Sequence, residues 1–152
     1  MTLPPNSTKV SLAYSLQNVQ NIADAAKIRA TNAVNTMSTG PVNSDYVFSL
    51  LLGLKSLIDT LETSKSVVGL DAYANAQIPG YVSSLVSDIT ATQAAAQASI
   101  DWVTTNFPKD STATYVLAES LNSDGTRTQR TFSTAQTSGF RTALNSLIAT
   151  IG

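Results

Sequence analysis

Cysteine and histidine are both absent from this chain of 152 residues. Without cysteine there are no disulfide bonds and no thiol nucleophiles, and without histidine there is no imidazole for a catalytic triad or a zinc site of the usual kind. Charged residues make up only 12% of the chain, about half of the usual share of roughly 25%. The sequence therefore predicts a protein that is not an enzyme and that uses no cofactor or bound metal.

Charge of one sign is also lacking. Nine basic and ten acidic residues give a net charge of −1, so no broad field attracts nucleic acid or anionic lipid. No stretch approaches the run of about 18 apolar residues that a membrane span needs, and the N-terminal residues do not follow the pattern of a secretory signal. We expect no membrane partner, and we regard nucleic acid as a poor candidate.

The length suits one domain with a sizeable core. Within it we distinguish an extended lead-in at residues 1–8, a helical bundle at 9–110, a β-hairpin at 111–132 and a C-terminal helix at 133–152. The resulting fold class is mainly α: an antiparallel bundle of three long helices plus a C-terminal helix, with the hairpin inserted before the last helix.

Three long stretches carry apolar or small residues at helical spacing. The first seam is Leu12, Leu16, Val19, Ala23, Ala26, Ala30, Ala33 and Met37. The second, the most apolar, is Val47, Leu50, Leu51, Leu54, Leu57, Ile58 and Leu61. The third is Val82, Leu85, Val86, Ile89, Ile100, Val103 and Phe107. The first seam is unbroken over more than three heptads, and such spacing is typical of a helix that packs along a long partner.

Local signals set the ends of these helices. Gly40 and Pro41 end the first helix. Asn43 or Ser44 begins the second, and Pro79 suits the first helical position of the third. The first and third helices are both rich in alanine, and two such thin stretches could pack against each other or one could accept a neighbouring chain. We favour the first alternative.

The segment before the last helix has a different character. Residues 114–117 and 126–132 are strand-forming, and the sequence Asn-Ser-Asp-Gly at 122–125 between them is a turn signal. Ser133 and Gln136 have the spacing of a capping box. The helix that follows carries its apolar face on Phe140, Leu144, Leu147, Ile148 and Ile151.

Acidic residues are scattered, and Asp59 and Glu62 are the best candidates for a carboxylate pair. They are three residues apart and therefore neighbours on a helix surface. Lys55 and Lys65 flank them, and no histidine or third acid stands at ligand spacing. We interpret the pair as part of a solvated face.

Four residues are candidates for a protein interface. Trp102 could be a partly exposed anchor, although a lone tryptophan near a helix end more often packs in the core. Arg127, Arg130 and Arg141 give the C-terminal end a positive charge, and arginine is enriched in protein contacts. Solubility is the alternative explanation for the arginines.

Three stretches of the chain, at residues 69–77, 102–110 and 130–144, together resemble small uncharacterised proteins of tailed bacteriophages and prophages. The first reads GLDAYANAQ, the second WVTTNFPKD and the third RTFSTAQTSGFRTAL. The likeness spans roughly residues 69–152. It implies a virion or virion-assembly protein that is present in many copies.

The function that we expect is therefore structural. The resemblance implies a component of a tailed-phage virion, at the neck or tail as a connector or fibre-attachment protein, made in the host cytoplasm and located in the virion. Its partners would be other virion proteins and copies of itself in a symmetric homo-oligomeric assembly. The alternatives are a helical binding module, an assembly chaperone or a capsid-associated protein.

Overall fold

The computed structural model describes residues 14–69, 75–76, 79–107, 124 and 130–152. These residues form the helices α1 (Tyr14–Thr39), α2 (Ser44–Gly69), α3 (Tyr81–Asn106) and α4 (Thr134–Ile151). Two short antiparallel strands, β1 (Val42–Asn43) and β2 (Thr131–Phe132), pair with Val42 opposite Phe132. The predicted fold class, a mainly helical bundle with a small antiparallel strand pair before the last helix, is confirmed.

Each helix packs against two neighbours in the cyclic order α1, α2, α3, α4. A connection of only four residues joins α1 to α2, so these two helices run antiparallel. Phe107, directly after α3, contacts Phe132, directly before α4. The end of α3 and the start of α4 therefore lie beside the strands, at what we call the strand end of the bundle. Every neighbouring pair is antiparallel.

The predicted seams form the core. Residues of α1 at less than 10% exposure are Val19, Ala23, Ala30, Ala33 and Met37. Those of α4 are Thr137, Phe140, Leu144, Leu147 and Ile151. In α2, Ser64 and Val68 extend the buried face about two turns beyond the predicted stripe. Leu12 lies outside the described residues, as do the whole of the lead-in at 1–8 and Arg127.

The core seam of α3 contains two hydroxyl residues that the sequence analysis did not include. It reads Leu85, Ile89, Thr92, Ala96, Ser99 and Val103. Thr92 donates its hydroxyl to the carbonyl of Asp88 at 2.9 Å, and Ser99 donates to that of Ala95 at 3.2 Å. Because each hydroxyl bonds within its own helix, it can be buried without a partner from another helix.

The preferred pairing of the two alanine-rich stretches is wrong. α1 and α3 stand at opposite corners of the bundle, each between α2 and α4. Ala23, Ala30 and Ala33 of α1 face the core, whereas Ala96 is the buried alanine of α3 and Ala91, Ala94 and Ala98 are exposed. Small residues opposite large ones fill a core layer better than two small ones do.

The helix starts follow capping chemistry. Asn43 caps α2, since its side-chain oxygen accepts from the amide of Tyr46 at 2.9 Å. Ser133 and Gln136 form the predicted capping box at the start of α4. The prediction for α3 is wrong by two residues. Gly80 is its N-cap, with φ of 81°, a left-handed conformation that glycine adopts without steric cost.

The strand directly before α4 is confirmed, but its described partner differs from the predicted one. The predicted hairpin pairs 126–132 with 114–117, whereas β2 pairs with β1 from the connection between α1 and α2. Val42 and Phe132 are both buried, so this pairing closes the core. Residues 114–117 lie outside the described residues, and of the predicted turn only Asp124 is described.

An aromatic cluster fills the strand end. The ring of Phe107 lies 4.4 Å from that of Phe132 and 6.3 Å from that of Phe140, measured between centroids. Trp102 approaches Phe107 edge to face at 5.6 Å, a preferred geometry for aromatic pairs. Phe107 thereby joins α3, β2 and α4 at one point.

We expect Leu61→Ala to lower the free energy of unfolding by about 2–5 kcal/mol, because Leu61 is fully buried and its truncation leaves a cavity. Lys55→Ala in the same helix is the matched control, since Lys55 is exposed and lies away from the neighbouring helices, and this change should alter stability by no more than about 0.5 kcal/mol. Urea unfolding followed by circular dichroism measures both. Equal losses in the two variants would contradict the assigned orientation of α2.

Candidate functional site

Trp102, the first predicted interface residue, packs within the chain. Its indole ring lies directly against the backbone of Gly139 in α4, where an added methyl group would overlap the ring. The other edge of the ring meets Phe107. Trp102 is therefore half-buried between α3 and α4, and the absence of a side chain at Gly139 is what lets the two helices approach.

Arg130 acts through its backbone at the strand pair. Its carbonyl accepts from the amide of Ser44 at 2.7 Å, and its amide donates to the Ser44 hydroxyl at 3.1 Å. These bonds extend the β1–β2 ladder by one residue pair. Ser44 is 1% exposed, and the sequence analysis missed this second role because it treated Ser44 only as a possible helix cap.

Arg141 folds back along its own helix. Its Nη2 donates to the carbonyl of Thr134 at 2.7 Å, and its Nε is buried without a hydrogen-bond partner. Residues 139 and 141 are about 200° apart around α4. Because Trp102 packs on Gly139, Arg141 and Trp102 lie on opposite flanks of α4. The described members of the predicted interface set do not form one patch.

The carboxylates of Asp59 and Glu62 do not form a paired acid site. Glu62 contacts Lys65 at 3.0 Å and accepts from Nε2 of Gln93 at 2.8 Å. The hydrogen bond from Gln93, followed by the contacts with Lys65, lowers the pKa of Glu62 below its usual value. A carboxyl with a lowered pKa is ionised at neutral pH and is a poor proton donor.

Gln93 is the centre of this network. Its Nε2 also donates to the carbonyl of Ile58 at 3.1 Å, and its Oε1 accepts from Lys65 at 3.1 Å. The network therefore fastens α2 to α3. Within the described ranges, no group of three or more acidic residues is placed to hold a metal ion, and no helix is long and apolar enough to cross a membrane.

A groove lies between α1 and α2, with one side of α4 beneath it. Its volume is about 570 Å³. Its floor is formed by Leu144 and Leu147 of α4. The walls carry short side chains such as Ala25, Ala33, Ser49 and Gly53, together with larger ones such as Ile22, Arg29, Tyr46, Leu50 and Leu57. α1 and α2 pack less closely than the other neighbouring helices do.

Large apolar side chains stand at both rims of this groove. Ile28 of α1 is 61% exposed and Leu52 of α2 is 54% exposed. Ile28 follows the wall residue Ala25 by three positions, and Leu52 follows Ser49 by three, so each is a surface neighbour of the wall. Val67, 51% exposed, lies one heptad beyond the wall residue Thr60 and continues the same side of α2.

We call the groove and its rims the α1–α2 face. Ile28, Leu52 and Val67 are the large apolar side chains of the described residues that are more than half exposed. They do not line the groove itself but lie on the helix surfaces next to its lining residues. Exposed apolar side chains beside an apolar groove are typical of protein contact sites. The sequence analysis missed the face because it followed only the core seams, and Ile28 stands on the opposite side of α1 from the Ala30 seam.

No family model, curated protein sequence or solved structure matches the chain. What the candidate site can bind must therefore be inferred from its own residues. The α1–α2 face offers apolar surface, small side chains and one charged wall residue, Arg29. Such a surface is suited to binding another protein.

Substitution of Gly139 by alanine tests the packing of Trp102 against the backbone of α4. We expect Gly139→Ala to destabilise the fold by about 1–3 kcal/mol, because the methyl group forces the indole ring away from its contact with Phe107. Gly53→Ala is the matched control in α2, where nothing lies within 4 Å of the added atom, and it should stabilise by about 0.5–1 kcal/mol. Urea unfolding and the emission of the single tryptophan measure both, and stabilisation by both substitutions would contradict the contact.

Glu62 should contribute to stability only above acidic pH. A carboxyl whose pKa is lower in the folded than in the unfolded state stabilises the fold above its unfolded pKa, and this contribution is lost as the pH falls through the folded pKa. We expect Glu62→Gln to lower the melting temperature slightly at pH 7 and to match the parent at about pH 2. Asp59→Asn is the control for lost charge. A Glu62→Gln deficit that persists unchanged in acid would contradict this assignment.

Proposed function

We propose that this protein is a structural component of a tailed-phage particle, a neck or tail connector or a fibre-attachment protein that acts through protein contacts in a symmetric assembly. The observation that carries the proposal is the α1–α2 face. Its large apolar side chains are a little more than half exposed in the single chain, so burying each of them against a partner is worth about 1 kcal/mol.

The remainder of the bundle is suited to holding such a face in place. The aromatic cluster and the strand pair tie the ends of all four helices together at the strand end. The Gln93 network fastens α2 to α3. Because α1 and α2 are each anchored to other helices, their exposed sides form a preformed surface, and preformed surfaces lose little conformational entropy on binding.

The tailed-phage setting comes from the sequence. The stretches at 102–110 and 130–144, which resemble small proteins of tailed phages, include the residues of the aromatic cluster and the capping box. The likeness would therefore concern the scaffold, while α1 and α2, which lie outside it, would carry the contacts particular to this protein.

The test is the composition of purified particles. We expect quantitative mass spectrometry of particles made in cells that express this gene to find the chain in a fixed ratio to the other neck and tail proteins. Deleting the gene should leave heads without complete tails. Complementation with an Ile28→Asp, Leu52→Asp double variant should fail, whereas the control variant Ala94→Asp, changed on an exposed position of α3, should restore infectivity.

Two results would contradict the proposal. Finding the chain in infected cells during assembly but not in finished particles would identify it as an assembly chaperone. Finding normal, infectious particles after deletion of the gene would remove the structural role altogether.

A further inference from the structure

α1 carries a second seam on the side away from the core. It consists of Asn18, Asn21, Ala25, Ile28, Asn32, Asn35 and Thr39, and we call it the outer seam. All seven are exposed. The two central members, Ala25 and Ile28, are apolar, and the members on both sides of them are polar. A packing surface along this seam would therefore be apolar at its centre and polar towards both ends.

The order of residues in the outer seam is nearly the same when read in either direction. From the centre outward, Ala25 and Ile28 are followed on each side by two asparagines, Asn21 and Asn18 on one side and Asn32 and Asn35 on the other. A helix with such a seam is complementary to an antiparallel copy of itself. A twofold axis between Ala25 and Ile28 would place each residue opposite its counterpart.

We propose that a second copy of this chain docks on the α1–α2 face, with its α1 antiparallel to α1 along the outer seam. In this register Ala25 lies opposite the Ile28 of the other copy, Asn21 opposite its Asn32, and Asn18 opposite its Asn35. The inference rests on the proposed function, since it names the partner of the same face, and it sets the orientation of the two copies.

The central layers supply the apolar contact. Each Ile28, 61% exposed in the single chain, would pack over the small Ala25 of the other copy, so that a large residue meets a small one in both layers. A parallel pair would instead place Ala25 opposite Ala25 and leave a gap. Antiparallel helix dipoles also attract each other, whereas parallel dipoles repel.

The asparagines supply the register. Within the described residues, no side-chain hydrogen bond involves the amides of Asn18, Asn21, Asn32 or Asn35. Each amide has both donors and acceptors and can therefore pair with another amide. A register shifted by one heptad would bury unpaired amides against apolar side chains, and such polar positions commonly fix the register of paired helices.

The position of the groove along α1 agrees with the proposed twofold axis. Its α1 wall runs from Ile22 to Ala33, which extends about equally to both sides of the centre between Ala25 and Ile28. The outer seam itself is uncharged. A copy of α1 at this position would partly cover the groove, and the twofold axis would bring the α2 rim with Leu52 towards the other copy.

Cysteine cross-linking tests the orientation directly, because the chain has no cysteine of its own. We expect a mixture of the full-length variants Asn21→Cys and Asn32→Cys to form a disulfide-linked dimer under mild oxidation. Neither variant alone should do so, because two copies of the same position would be about 16 Å apart along the helix axis. A mixture of Asn32→Cys with Ser146→Cys, an exposed position on α4, is the matched control.

Each outcome of the cross-linking experiment either supports or overturns the proposal. Cross-linking in the mixture, at least about tenfold above the single variants and the control, and abolished when Ile28→Asp is added to both chains, supports the proposal. Efficient cross-linking of Asn21→Cys with itself would show a parallel pair and overturn it. Yields in the mixture equal to the Ser146→Cys control would show that this face does not pair with a second copy.

Failure of the proposed function can be distinguished from failure of the dimer proposal. If the chain is a fixed component of particles but the mixture does not cross-link, the structural role stands and the face binds a different virion protein. If the mixture cross-links but particles lack the chain, the dimer stands without the virion role.

Discussion

Closure of the strand end by aromatic packing is the constraint on which the rest of the structure depends. Phe107, Phe132 and Phe140 come from three separate segments and meet around one ring. The β1–β2 pair then fixes the starts of α2 and α4 at the same height. Because helices are stiff rods with regular repeats, fixing their ends sets which core residues meet along the whole bundle. For that reason, the apolar seams of the four helices meet at matching heights along the bundle.

The same constraint leaves one side of the bundle loosely filled. α1 and α2 are held at their shared connection, and their facing walls carry alanine, serine and glycine. α1 and α2 are kept apart because α1 also packs on α4 and α2 also packs on α3. The two helices therefore do not come close enough for their short side chains to meet. A groove floored by Leu144 and Leu147 is the consequence. The apolar residues at its rims then stand exposed, and a second copy of the chain is the occupant that the outer seam of α1 fits.

Much of the fold follows from the sequence because its determinants are local or periodic. The seams through Ala30, Leu61 and Leu144 could be predicted from spacing, and the capping box at Ser133 from four residues. The β1–β2 pair could not, since Val42 and Asn43 are too few to show alternation and their partner is about ninety residues away. The packing of Trp102 on Gly139 could not be predicted either, since it joins two helices that are far apart in the chain. The groove between α1 and α2 could not be predicted either, because it depends on how closely two helices approach, which the spacing within each helix does not determine.

The central claim is that the α1–α2 face is complete only when two chains meet. Sedimentation equilibrium of the unmodified protein over a wide range of concentrations tests it most directly, because it measures the mass of the particle in solution without any substitution or label. The account predicts an average mass that rises from that of one chain to that of two and then stays constant, as a closed twofold pair requires. A mass that remains that of one chain at every concentration, or that grows without limit, would contradict it.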